Sequence, residues 1–192
     1  MPKAKSSSSR FYLGLDPGVT GGLVSLRHGR VLEIDPMPKT EADIWKWMTG
    51  YTDTLAGFEV VPVFATIEWI HPAILGVGKS SMSKLYGNYM ALRAFLTAAE
   101  IPFEDVKPVV WQRAMGIPVR KPHTKKREVE ITKGKNKGKM RIQNYGGETD
   151  TQWKNRLKAK AQQLFPSKNI TLATADALLI AEFCRRKHEG IL

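Results

Sequence analysis

Three carboxylates lie in segments that otherwise have the composition of a protein core. Asp16 and Glu68 each end a short apolar run typical of a buried strand, and Asp176 lies within the apolar helical stretch 172–180. Taking an unpaired carboxylate out of water is costly, so each of the three needs a partner. Taken singly, each would be a structural acid paired with a Lys or Arg side chain, or with a helix N-terminus.

The three carboxylates become candidates for a shared functional site if the fold brings them together. Asp16 and Glu68 share one end of a sheet if their strands are neighbours, and a helix packed there would bring Asp176 alongside. Carboxylates in one apolar place repel one another unless cations neutralise them, and hard oxygen ligands select Mg²⁺ or Mn²⁺. Two such ions, roughly 3.5–4 Å apart, can activate a water and stabilise the leaving oxygen of a phosphodiester. The three acids are therefore the candidate catalytic and metal-binding residues, with two Mg²⁺ ions expected and Mn²⁺ as a substitute.

Composition favours a polyanionic partner for such a site. The 192 residues carry a formal charge of +12, and the sequence pI is about 9.9. This charge favours nucleic acid first and an anionic membrane surface second. Hydrophobic residues make up 42% of the chain, which excludes global disorder, and no apolar run approaches the length of a membrane span. The single cysteine, Cys184, excludes an internal disulfide and favours a reducing, cytoplasmic compartment.

The elements that must position the acids follow from apolar periodicity and turn residues. Strands are predicted at 11–16, 22–27, 30–35, 63–68 and 103–106, and helices at 40–48, 83–99, 109–115, 151–165 and 172–187. The first three strands are joined by tight turns and predict an antiparallel meander. The sequence therefore predicts an α/β fold with a mixed five-stranded sheet, in which two parallel strands join the meander and helices cover both faces.

Two segments stand outside this pattern. Residues 1–10 are Ser-rich and basic and are predicted to form a flexible arm, which leaves 11–192 as a single domain. The stretch 119–148 is dense in Lys and Arg and poor in apolar residues, and it alternates at 127–131 and 140–143. It is too small for a core of its own, so we interpret it as a basic hairpin or flexible insertion.

Five short segments follow one another in a distinctive order. They are LGLDPG at 13–18 with Gly21-Gly22, ATIEWIHP at 65–72, YGNY at 86–89, KPVVWQRAM at 107–115 and ADALLIAE at 175–182. They resemble the corresponding segments of the RuvC-type Holliday junction resolvases, in particular the phage-like branch. The resemblance runs from about residue 10 to residue 186, apart from the basic insertion.

This resemblance implies an RNase H-like fold and a homodimer formed through the helix at 83–99. It also implies Mg²⁺-dependent, symmetric nicking of four-way DNA junctions, in the host cytoplasm if the protein is phage-encoded. Two departures stand against it. The family usually has a fourth acid or a His shortly before the last Asp, whereas positions 171–174 are Thr, Leu, Ala and Thr, with Ala173 expected one helical turn before Asp176. Either three acids suffice, or another group such as Asp150 takes part, or the chain is inactivated. The insertion at 119–148 is also longer than expected.

Candidate DNA-binding residues surround the predicted site. They are His71, Lys79, Lys84, Tyr86, Arg113, Lys121, Lys125, Lys126, Arg127 and Lys158. His71 and Tyr86 would stack on bases at the junction, and the cations would contact phosphates. The alternatives are an ordinary loop histidine, a core tyrosine and solvated lysines.

Three other functions remain open from the sequence. The first is a nuclease with a wider range of branched substrates, such as flaps and forks. The second is a junction-binding protein without catalysis, suggested by the missing fourth ligand. The third is ATP-dependent phosphoryl transfer, because DPGVTGG at 16–22 also resembles the first phosphate loop of actin-like sugar kinases and ATPases.

Overall fold

The computed structural model of the chain describes residues 10–52, 61–72 and 78–192. The predicted flexible arm at 1–10 lies outside the described residues except for Arg10, and so does part of the predicted loop after Glu68. In the described part of the chain, no helix has both the length and the apolar character needed to cross a bilayer.

The centre of the molecule is a mixed five-stranded sheet, as predicted. Its strands are β1 (Phe11–Asp16), β2 (Gly22–Arg27), β3 (Arg30–Pro36), β4 (Val63–Glu68) and β5 (Phe103–Val106). Their order across the sheet is β3-β2-β1-β4-β5. The β1–β2 and β2–β3 pairs are antiparallel, and the β1–β4 and β4–β5 pairs are parallel. The two strands that carry Asp16 and Glu68 are therefore adjacent.

Five helices accompany the sheet: α1 (Glu41–Thr49), α2 (Lys79–Ala98), α3 (Pro108–Ala114), α4 (Asp150–Leu164) and α5 (Ala175–His188). The Thr40 hydroxyl caps α1 by accepting from the Asp43 amide, and Thr149 and Gln152 form a capping box on α4.

The predicted starts of two helices are wrong. Helix α2 begins at Lys79, four residues before the expected position, and α5 begins at Ala175, three residues after it. Ahead of α5, the Thr171 amide donates to the Thr174 hydroxyl at 3.1 Å, a local bond that competes with helix formation. Ala173 therefore precedes the helix and does not lie one turn before Asp176.

The core has two layers, one on each face of the sheet. Leu13, Leu15 and Ile67 pack with side chains of α1 and α2, whereas Tyr12 packs with α3, α4 and α5 around the fully buried Trp111. This division follows the period-two alternation of strand side chains. It confirms the prediction of helices on both faces.

Helix α5 lies unusually close to β1 because of a glycine. A Cβ atom at Gly14 would lie 2.2 Å from the Ala177 carbonyl oxygen and 2.3 Å from the Ala181 amide nitrogen. Any larger residue there would push the helix away from the strand. The absence of a side chain at position 14 thus lets the start of α5 lie beside the end of β1.

The basic insertion forms a separate two-stranded antiparallel sheet, as predicted. Its strands are β6 (Lys125–Glu130) and β7 (Met140–Tyr145), and Lys125 pairs with Tyr145. Both strands are longer than the alternating segments at 127–131 and 140–143 from which they were predicted. We call residues 125–145 the basic ribbon.

Candidate active site

The register of the parallel strands places Asp16 beside Glu68. Leu15 of β1 is paired with Ile67 of β4, so the next residue on each strand stands at the same level of the sheet. Leu15 and Ile67 are fully buried on the α2 side. Since side chains alternate along a strand, the two carboxylates face the other side, where α5 packs.

Helix α5 brings the third carboxylate to the same place. Asp176 lies in its first turn, where the helix dipole favours a negative charge. The close approach at Gly14 is repeated at Gly22, where a Cβ would lie 2.9 Å from the Ala173 carbonyl oxygen. Gly22 is paired with Asp16, so the chain entering α5 passes directly over the end of β1.

The three carboxylates lie half-buried in one pocket, close enough for their charges to act on one another. Burial, and then the charges of Glu68 and Asp176, raise the pKa of Asp16 well above its ordinary value. Burial and the charge of Asp176 raise the pKa of Glu68 to about 8. Burial alone raises the pKa of Asp176 to about 6. Each of these carboxyls is thus destabilised in its charged form, and a cation bound among them would relieve that cost.

Partners of the three acids are few. The Trp111 indole nitrogen donates to Glu68 Oε2 at 2.9 Å, which fixes the position of that carboxylate from α3. Within residues 10–52, 61–72 and 78–192, none of the three carboxylates forms an ion pair with Lys or Arg. A paired Lys or Arg therefore does not explain any of the three acids in the described chain, whereas the other structural partner considered, a helix N-terminus, is present for Asp176.

The sequence analysis did not single out one lysine that lies near the pocket. The charge of Lys154, on α4, lowers the pKa of Asp16, Glu68 and Asp176 and so opposes the effect of burial. Helix α4 packs against α5, which brings Lys154 within electrostatic reach. Its spacing of four residues from Lys158 places both on one side of α4, and that spacing was the only signal for it in the sequence.

The loop that follows Asp16 is held by α2. Gly18 has a φ of 107°, a conformation that favours glycine, and its amide donates to Asn88 Oδ1 at 2.7 Å. Asn88 is a second residue that the sequence analysis did not single out, although it lies in the YGNY segment at 86–89. It ties the long helix to the turn beside the pocket.

The donors of the pocket fit a hard divalent cation, but they are not assembled around one. Carboxylate oxygens are the ligands that Mg²⁺ and Mn²⁺ prefer. Among the described residues, no group of three or more His, Cys, Asp or Glu side chains is arranged closely enough to hold a metal ion. The pocket thus has the required chemistry, while binding would require the carboxylates to draw together.

The structure supplies no fourth acid at the pocket from the positions considered. The hydroxyls of Thr171 and Thr174 lie 3.1 Å apart and bond to each other, and Ala173 offers only its backbone. Asp150 is bound to Arg120 at 2.5 Å, and its side chain is 86% exposed. Asp150 therefore lies outside the acidic cluster.

The two aromatic candidates have different surroundings. His71 is exposed and makes an edge contact with Trp69, with ring centroids 5.4 Å apart. Tyr86 is half-buried and packs against the core on the α2 side, 5.7 Å from the Tyr89 ring. Tyr86 thus has the environment of a packing residue, whereas His71 is accessible beside the strand that ends at Glu68.

The cationic candidates belong to four parts of the chain. Lys79 and Lys84 are exposed in the first turns of α2, Arg113 is exposed near the end of α3, and Lys158 is half-buried on α4. The remaining candidates, Lys121, Lys125, Lys126 and Arg127, are exposed in or just before the basic ribbon.

Comparisons with known proteins agree with the fold. The chain is similar to Thermus thermophilus RuvC in complex with a Holliday junction substrate, at 14% identity and a TM-score of 0.53, covering 94% of this chain and 96% of that one. A second Thermus thermophilus RuvC structure matches with the same identity and coverage and a TM-score of 0.50. No family model and no curated protein matches the sequence. At this identity the likeness establishes the fold alone, and the chain has the RNase H-like fold of RuvC.

Proposed function

We propose that this protein is a structure-selective DNA endonuclease that resolves four-way junctions by paired, Mg²⁺-dependent phosphodiester hydrolysis. The observation that carries the proposal is the desolvated pocket of Asp16, Glu68 and Asp176, which lacks an ion-paired Lys or Arg among the described residues. Three neighbouring half-buried carboxylates without an ion-paired cation cost stability, so they call for a functional explanation. The likeness to a RuvC bound to a Holliday junction indicates the substrate class.

Each residue of the pocket has a role in this proposal. The oxygens of Asp16, Glu68 and Asp176 would hold the metal, since the charges of all three carboxylates act on one another. Bound divalent ions would supply an activated water and charge stabilisation for the leaving oxygen. Trp111 keeps Glu68 in place through its indole hydrogen bond, and Lys154 lowers the pKa of all three carboxyls.

We further propose a homodimer formed through α2. Gly87, Met90, Ala94 and Thr97 follow one another at helical spacing, are all exposed, and carry no charge. Small residues at this spacing let a second helix approach closely, and a two-fold dimer would match the near two-fold symmetry of a four-way junction. In light scattering, the Ala94→Arg variant is expected to be a monomer. Lys79 is also exposed on α2, and the control variant Lys79→Ala should remain a dimer.

A second candidate function is junction binding without catalysis. The absence of a fourth acid at 171–174 and of an assembled three-ligand group among the described residues favours it. This candidate keeps the same DNA-binding surfaces, and it predicts that no DNA strand is cut when Mg²⁺ is present.

One gel experiment separates these candidates. A synthetic four-way junction labelled on each strand in turn is incubated with the protein in Mg²⁺ and in EDTA, beside flap, fork and linear duplex DNA. Symmetric nicks on opposed strands in Mg²⁺ alone support the resolvase. Equal cutting of flaps and forks would widen the substrate class, and tight binding without any nick would favour the inactive junction-binding protein.

A further inference from the structure

The basic ribbon has two chemically different faces, which the register of its strands defines. Residues directly opposite each other share a face, and the faces alternate along each strand. One face, which we call the contact face, consists of Lys125, Arg127, Val129, Arg141, Gln143 and Tyr145. The opposite face consists of Lys126, Glu128, Glu130, Met140, Ile142 and Asn144.

Charge is distributed very unequally between the faces. The contact face carries three cations and no acid, whereas the opposite face carries one lysine and two glutamates. The ribbon as a whole is strongly basic, since residues 125–145 contain eight Lys or Arg and two Glu. A polyanion laid on the contact face meets only positive charge, but on the opposite face it would meet Glu128 and Glu130.

The cations of the contact face are also partly ordered before any partner arrives. Arg127 Nε donates to Gln143 Oε1 at 3.0 Å, and the Arg127 guanidinium lies 5.2 Å from the centroid of the Tyr145 ring. The hydrogen bond uses Nε, so the two terminal nitrogens of the guanidinium remain as donors suited to a phosphate. Ordering a long side chain in advance reduces the entropy lost on binding.

The ribbon is anchored to the helix that carries Lys154 and Lys158. Arg120 donates to the Glu148 carbonyl at 3.1 Å and pairs with Asp150, while Arg156 pairs with the Glu148 carboxylate at 2.6 Å. A Cβ at Gly147 would lie 2.4 Å from the Pro122 backbone, so only glycine lets the two chains close at the base. The ribbon is therefore attached to the start of α4 and does not hang on a loose linker.

We propose that the contact face binds the phosphates of one double-stranded DNA arm, while the face with Lys126 is turned away from the DNA. The inference rests on the proposed function, which it deepens by assigning the surface that holds an arm outside the cleavage site. Six residues per strand extend over about 20 Å, or about six base pairs, and a two-stranded ribbon is of a size that the major groove admits.

Two adjacent lysines give a matched test. Lys125 and Lys126 are both exposed and neighbours in sequence, but they lie on opposite faces. Kd is measured for Lys125→Gln, Arg141→Gln and Lys126→Gln across a salt series, with a four-way junction and with linear duplex, in EDTA so that no strand is cut. The thermal midpoint of each variant confirms that it is folded.

Lys125→Gln and Arg141→Gln are each expected to lower the slope of log affinity against log salt by about 1 on both DNAs, as loss of one phosphate contact does. Lys126→Gln is expected to leave the slope unchanged. Equal weakening by all three variants, no weakening by any, or weakening by Lys126→Gln alone would each overturn the proposal. Because binding is measured without cleavage, these outcomes are independent of whether wild-type protein nicks junctions in Mg²⁺.

Discussion

The acidic pocket and the basic ribbon are opposite in almost every physical respect. The pocket holds three half-buried carboxyls at the junction of β1, β4 and α5, where the pKa of Glu68 rises to about 8. The ribbon displays its like charges in water, where solvent screens them at little cost. A buried charge cluster costs stability and is tolerated for chemistry, whereas an exposed one costs little and serves to attract and position a partner. The predictions below test this division of roles.

The largest expected effect is the loss of the chemical step in Asp16→Asn. Removing the Asp16 carboxylate should lower the rate of junction nicking at least about a thousandfold, because metal ions supply several kcal/mol of charge stabilisation. Junction affinity should change little. Asp43→Asn, an exposed carboxylate on α1, is the matched control and should nick at the wild-type rate. Full nicking by purified Asp16→Asn would refute the role assigned to the pocket.

Replacing the basic ribbon should have the converse effect. A variant in which a short Gly-Ser link replaces 125–145 should bind a four-way junction at least about tenfold more weakly at moderate salt, because several phosphate contacts are lost. Its single-turnover nicking rate at saturating protein should stay within about threefold of wild type. If that rate fell as far as it does in Asp16→Asn, the ribbon would belong to the catalytic machinery and the division would fail.

Because burying these carboxyls costs free energy of folding, we expect the stability difference between Glu68→Gln and wild type in EDTA to depend on pH. The folded pKa of Glu68, about 8, lies above the ordinary value of 4.5, so the folded state retains a proton that the unfolded state releases. Metal-free wild type should therefore lose stability as pH rises from about 4.5 to 8, and Glu68→Gln should lose less.

The measurement is the thermal midpoint across that pH range. At pH 8 the variant should melt several degrees higher, since each kcal/mol shifts the midpoint by roughly 2–4 °C in a chain of this size. The difference should vanish near pH 4. Glu130→Gln, on the exposed ribbon, should show no such trend, and a variant no more stable than wild type at pH 8 would contradict the account of the pocket.

The smallest expected effect concerns Lys154. Lys154→Gln removes a cation whose charge lowers the pKa of all three carboxyls, so more protons must leave before a metal binds. Nicking at pH 7 should fall about fivefold, in keeping with an exposed charge, and should recover at higher pH. Lys158→Gln, one turn along α4, is the comparison and should weaken DNA binding without moving the pH profile.

The sequence predicted most of what positions the pocket. Short apolar runs ending in Asp16 and Glu68 identified their strands, and the tight turns between the first three strands identified the meander, because both signals are local. The predicted starts of α2 and α5 were wrong because the local signals at those two positions are weak or misleading. Gly78 caps α2 without a side-chain hydrogen bond, and the bond between Thr171 and Thr174 delays α5.

Tertiary geometry accounts for what the sequence could not indicate. Lys154 reaches the pocket only because of the rotation of α4 against α5, and no spacing along the chain encodes that rotation. Similarly, the sorting of Lys125 and Lys126 onto opposite faces depends on the register of β6 with β7. In both cases, the position of the side chain depends on how two elements pair, which the local sequence does not indicate.

The most direct test of the central claim is anomalous diffraction from crystals of the wild-type protein soaked in Mn²⁺. We predict anomalous difference peaks bounded by the carboxylates of Asp16, Glu68 and Asp176, with the three side chains drawn together around them, and no such peaks in Asp16→Asn crystals. A wild-type map with no peak at this pocket under saturating Mn²⁺, and with the carboxylates still apart, would contradict the claim that it is a metal-dependent nuclease site.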